Sequence, residues 1–314
     1  RAYVDSGSHG PVVLVIPAPI KKGYIWDLAP GQSVVRQLVR SGARVYLVAW
    51  EEPGNGEQKL GLADYGDKLL LDCLRVIAAE TGQEGVFLAG HSLGGTLAVV
   101  CTLLHPERVA GLILLASPLN FGPEVDALSA LIARSPPAST MSGYFGGTVP
   151  GWWLDLNSIW AAPGAFILEP QQNLLASLAI PLTLTAHLRT QRWMLDQTPL
   201  PRRLFEQVVE WLYRENRLTR GLLVISGKRL LPAQVKAPLL CVAEISSSVT
   251  PASSMRPFFD SASSQQKEWL WYREEIGVNL QHVGVLAGRQ AHRELWPRII
   301  AWLHAQWQNC SRRN

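Results

Sequence analysis

Charge is scarce in this chain. Asp, Glu, Lys and Arg make up 17 % of its 314 residues, and the formal net charge is only +4. The basic residues are scattered, apart from Arg312-Arg313 at the C-terminal end, which read as a solvated tail. No nucleic-acid partner is therefore expected. Cysteine is nearly as sparse. Cys73, Cys101, Cys241 and Cys310 never fall into a C-x-x-C spacing, which argues against a metal centre or a dithiol redox site. The first three sit in apolar stretches and read as small core residues, and a reducing, cytoplasmic location is the expectation. No apolar run approaches the roughly 20 residues needed to span a bilayer. Internal repeats are absent. Arg1 is preceded by no methionine and followed by no signal-peptide pattern, which points to a longer native N-terminus or a trimmed one.

Hydrophobic residues, at 47 %, are enough for a large core, and the length suits one α/β domain with an insertion as well as two domains. Val12 to Ile16 is a continuous apolar run, as in a strand buried on both faces. Helix-like Ser33 to Ser41, a strand from Arg44 to Ala49 and helix-like Asp64 to Glu80 follow. A strand before Ser92, a helix after it and a strand from Gly111 to Ala116 complete an alternation that implies a parallel sheet. Strand signals then thin out. Residues 121–231 read as a mostly helical cap holding Trp152, Trp153, Trp160, Trp193 and Trp211, as cap core or as a dimer face. Residues 1–120 and 232–314 form the α/β core, with strands at Pro238 to Val242 and Lys267 to Tyr272 and a last helix from about Ala291 to Gln306.

Gly90-His91-Ser92-Leu93-Gly94 lies between a buried strand and a helix. A serine on such a tight turn is forced outward, because glycines two before and two after let the backbone pack there. Ser92 is the candidate nucleophile, and at an ordinary pKa it needs a base. His91 is expected to point away from the reacting face. His9, His105, His187, His292 and His304 lie on or beside other elements. His282, between the last strand and the last helix, is where the chain order Ser…acid…His places the base. The oxyanion donors are expected at the N–H of Leu93 and in the loop Pro17-Ala18-Pro19-Ile20, where the prolines have no N–H and Ile20 is preferred over Ala18.

Several segments carry a family resemblance. Ile20 to Leu28, Val45 to Pro53, Leu104 to Val109, Ser117 to Phe121, Leu212 to Leu218, Gln281-His282-Val283-Gly284 and Trp296-Pro297 resemble the polyhydroxyalkanoate synthases, especially the two-subunit class. The likeness runs from about Pro11 to Leu303. It implies an α/β-hydrolase fold: a mostly parallel sheet with helices on both faces and an inserted helical cap. It also implies acyl-CoA-type hydroxyacyl substrates and a homo-oligomer or a synthase-type partner. Three departures stand out. Ser92 replaces the family's nucleophilic cysteine. Ser246, in Glu244-Ile245-Ser246-Ser247-Ser248, occupies the place of the aspartate that orients the histidine. The family's N-terminal segment has no counterpart here. Glu244, Ser246 and Asp126 are the alternatives for the third triad member. The expected activity is a serine-dependent acyl hydrolase on carboxylic esters, hydroxyacyl thioesters or polyesters. A hydroxyacyl transferase and a non-catalytic synthase relative are the alternatives. No metal or organic cofactor is implied.

Overall fold

A computed structural model describes residues 1–4, 9–54 and 56–311. Arg312-Arg313 thus lies outside the described residues. Seven strands form one sheet: β1 (Ala2–Tyr3), β2 (Val12–Ile16), β3 (Arg44–Leu47), β4 (Val86–His91), β5 (Val109–Leu115), β6 (Leu239–Glu244) and β7 (Lys267–Tyr272). Their spatial order is β1-β3-β2-β4-β5-β6-β7. Every pairing is parallel except that of the short edge strand β1 with β3, which has no counterpart in the sequence reading.

The apolar runs are buried on both sides, as a parallel sheet covered by helices requires. On one face, Val12, Leu14 and Ile16 pack with Leu70, Leu74 and Ile77 of α2 (Leu69–Thr81) and Leu97 of α3 (Leu93–Leu104). On the other, Val13 and Val15 pack with Val34, Val35 and Leu38 of α1 (Val34–Arg40) and with Trp296, Ile299 and Leu303 of the last helix (Trp296–Ser311). Local chemistry sets the helix ends. Ser33 caps α1 by accepting from Arg36 N–H at 2.9 Å. Gly82, at φ 69°, ends α2 in the left-handed conformation that glycine adopts without a Cβ penalty.

Between β5 and β6 the chain is mostly helical: α4 (Ala127–Arg134), α5 (Ala138–Gly143), α6 (Gly151–Ala161), α7 (Glu169–Ser177), α8 (Pro181–Leu195) and α9 (Arg202–Gln207). The tryptophans there divide. Trp193 is buried, Trp153 and Trp211 are half-buried, and Trp152 and Trp160 are exposed. This region is tied to the loop after β2. Lys21 Nζ pairs with Asp155 Oδ2 at 2.8 Å and also donates to the Met194 carbonyl. Trp193 Nε1 donates to the Lys22 carbonyl at 2.6 Å, and Thr198 N–H donates to the Ile20 carbonyl at 3.1 Å. Among the described residues no helix is long and apolar enough to cross a membrane.

Candidate active site

Ser92 joins β4 directly to α3, with φ 54° and ψ −134°. That is a costly backbone for a residue with a Cβ, and it persists only where the surroundings enforce it. They do. A Cβ on Gly90 would lie 2.4 Å from Gly95 Cα, and one on Gly94 would lie 2.1 Å from the Ile16 carbonyl oxygen. The two glycines let α3 press against the ends of β4 and β2, and Ser92 is the residue turned out between them.

Ser92 and His282 border the same cavity, of about 330 Å3. Its walls are largely apolar, with Ile20 and Pro17 from the loop after β2, Phe166 and Trp193 from the inserted helices, and Val249 from the loop after β6. His282 sits on a short helical turn, Gln281–Val283, and is buried. Burial first, and the nearby His91 second, hold its pKa well below the usual histidine range. The ring is therefore neutral near pH 7 and able to take a proton.

His91 is among the residues that border the cavity. Its ring packs on His282 with centroids 4.7 Å apart, and its Nε2–H donates to the His282 carbonyl at 2.9 Å. Burial lowers its pKa to about 4, so it too is neutral.

None of the three candidates for the third triad member is bonded to His282, whose Nδ1 is buried without a hydrogen-bond partner. Asp126 caps α4, its two oxygens taken by Ser129 N–H at 2.8 Å and Ser129 Oγ at 2.6 Å. Ser246 is exposed in the loop after β6. Glu244 ends β6, is only 2 % exposed and has Oε2 unpartnered. Burial pushes its carboxyl up to about 7, a Ser247 hydrogen bond opposes the rise, and the charges of Glu169 and Glu274 add to it. Of the oxyanion candidates, Ile20 borders the cavity and Leu93 is the first residue of α3.

The Glu244 shift has a consequence for stability. Between the ordinary value of 4.5 and about 7, the folded chain holds a proton that the unfolded chain has lost. The stabilisation is whole below the unfolded value and is lost as pH rises through 7. Glu244→Gln keeps the neutral form at every pH. It should match the wild type at pH 4 and exceed it by on the order of 3 kcal/mol at pH 8. Urea unfolding at the two pH values checks this, and a difference that does not widen would contradict the assignment.

Residues 145–188 contain two charged side chains, Asp155 and Glu169, and both reach out of the inserted helices. Asp155 meets Lys21, and Glu169 Oε2 accepts from Gln281 N–H at 3.2 Å, immediately before His282. Sequence reasoning missed both, although isolated charges in an uncharged stretch are the signal that marks them.

With this geometry in view, comparison with known proteins gives a consistent result. Residues 11–153 match the family described as the alpha/beta hydrolase fold. The chain has the α/β-hydrolase fold. Its likeness in sequence is to polyhydroxyalkanoate polymerases, as the sequence motifs imply. It is 27 % identical over 297 residues to the poly(3-hydroxyalkanoate) polymerase subunit PhaC of Haloferax mediterranei, covering 92 % of this chain and 58 % of that one. It is 26 % identical over 302 residues to the same-named subunit of Haloarcula marismortui, covering 92 % and 60 %. The chain thus spans about three-fifths of the length of these two relatives. The solved monoacylglycerol lipase of Paleococcus ferrophilus matches with a TM-score of 0.62 at 16 % identity, over 98 % of both chains, which is a likeness of fold.

Proposed function

We propose that this chain is a serine-dependent acyl hydrolase acting on carboxylic esters or on hydroxyacyl thioesters and polyesters. The observation that carries the reading is the left-handed Ser92 opening into the same cavity as a neutral, buried His282. Ser92 Oγ attacks the acyl carbonyl while His282 takes its proton on Nε2, the ring nitrogen left over from the buried Nδ1. The N–H groups of Leu93 and Ile20 receive the developing oxyanion. The tetrahedral species collapses, the alcohol or thiol departs with the proton held by His282, and an acyl-Ser92 remains. Water, deprotonated by the same imidazole, then releases the acid and restores Ser92. The apolar walls suit the acyl chain.

A second reading is hydroxyacyl transfer, favoured by the similarity to the polymerases over 92 % of this chain. The acyl-enzyme is common to both, and only the acceptor differs. Incubation with a 3-hydroxyacyl thioester and with short-chain aryl esters separates them. Equal yields of free acid and of thiol or phenol are expected. Oligomeric ester in place of free acid would move the assignment to the transferase. No turnover of either class by folded protein would contradict both.

A further inference from the structure

Helix α7 carries a polar stripe. Glu169, Asn173 and Ser177 recur every four residues, which places them along one helix face. The first two are bonded to the loop that follows β7 and carries His282. Glu169 Oε2 accepts from Gln281 N–H at 3.2 Å. Asn173 Oδ1 accepts from Gly277 N–H at 2.8 Å and from Asn279 N–H at 3.3 Å, while its Nδ2 donates to the Glu275 carbonyl at 3.2 Å. His187 Nδ1 of α8 lies 3.2 Å from the same Asn173 oxygen. Ser177 Oγ donates back to the Asn173 carbonyl at 2.6 Å. Two side chains of the inserted helices thus bind four backbone groups between Glu275 and Gln281.

The loop needs such support. Gly277 has φ 94° and Asn279 has φ 65°, the latter an uncommon backbone for a residue with a Cβ. His282 itself has no partner at its buried Nδ1. In Ser-His-Asp enzymes a buried acid bonded to that nitrogen fixes the ring. Here the backbone just before the histidine is held by α7, beside the bond from His91 Nε2–H to the His282 carbonyl.

We propose that Glu169 and Asn173 are positioning residues for His282, so that α7 of the inserted region does the orienting work that a triad acid does elsewhere. The inference rests on the reading of Ser92 and His282 as nucleophile and base. Neither Glu169 nor Asn173 borders the cavity; both act through the loop. A displacement of α7 would break all of these bonds together, so the position of the inserted helices and the reactivity of Ser92 are coupled.

The test compares Glu169→Ala with Glu169→Gln, whose amide oxygen still accepts from Gln281 N–H. In Glu169→Ala, kcat on an aryl ester and the rate of fluorophosphonate labelling should fall about tenfold or more, with KM changed less than about threefold. Glu169→Gln should recover to within about threefold of the wild type. A purely structural role would shift Tm and KM and would show no such rescue. Hydrogen exchange gives a readout independent of activity. Amides of residues 275–284 should exchange about tenfold or more faster in Glu169→Ala and at the wild-type rate in Glu169→Gln. Unchanged exchange, or unchanged kcat with altered exchange, would overturn the proposal. A wild type that never labels would sink the nucleophile reading instead, and the exchange result would still decide whether α7 holds the loop.

Discussion

Ser92→Ala should fold normally, keep its cavity and lose ester turnover by about 10⁴-fold or more, since removing one member of a serine–histidine pair costs nearly as much as removing both. The alanine has no oxygen to carry the acyl group, so the residual rate is that of water attacking substrate held against the oxyanion donors. His282→Ala should lose about as much, because an unassisted serine hydroxyl is a poor nucleophile at neutral pH. The double variant should be little slower than either single one. That non-additivity separates a pair working as a unit from two independent contributions. Additive losses, measured as kcat/KM on one aryl ester, would show that the two side chains do not act on the same proton.

Gly94→Ala should give the largest loss of stability among conservative changes near the site. The added methyl would sit 2.1 Å from the Ile16 carbonyl oxygen and 2.7 Å from the Pro17 carbonyl carbon. These are backbone atoms at the end of a central strand, and no rotamer change relieves the clash. Either α3 backs away from the sheet or the loop after β2 moves, and Ile20, the candidate oxyanion donor, is on that loop. A cost of about 3 kcal/mol, the upper part of the usual overpacking range, is expected with a matching fall in activity. Gly143→Ala is the control. It sits at the end of α5 with nothing within 4 Å of the new methyl, so stability should be unchanged or slightly higher. Equal unfolding midpoints for the two variants would contradict the packing account of the turn.

The parts of this site that sequence discloses are those written in consecutive residues. Ser92 is legible because its glycines, its strand and its helix are contiguous, and close packing at the turn demands small residues at fixed offsets. His282 is legible through chain order alone. The α/β alternation is equally local, since Val12–Ile16 and the run Val86–Ala89 before Ser92 are apolar throughout, as strands covered on both faces must be. Asp126 is one of the sequence alternatives for the third triad member, yet a helix begins at the next residue and draws both of its oxygens to Ser129. The clamp on the histidine loop was hidden for a different reason. Glu169 and Gln281 are 112 residues apart, and hydrogen bonds to backbone N–H groups leave no trace in the identity of the residues that donate them.

The central claim is that Ser92 is an activated nucleophile although no carboxylate is bonded to His282. Intact mass after incubation with a fluorophosphonate probe tests it most directly, on the wild type and on Ser92→Ala side by side. A single adduct on the wild type that is absent from the variant is expected. No adduct on folded wild type, or an adduct that survives in Ser92→Ala, would contradict it.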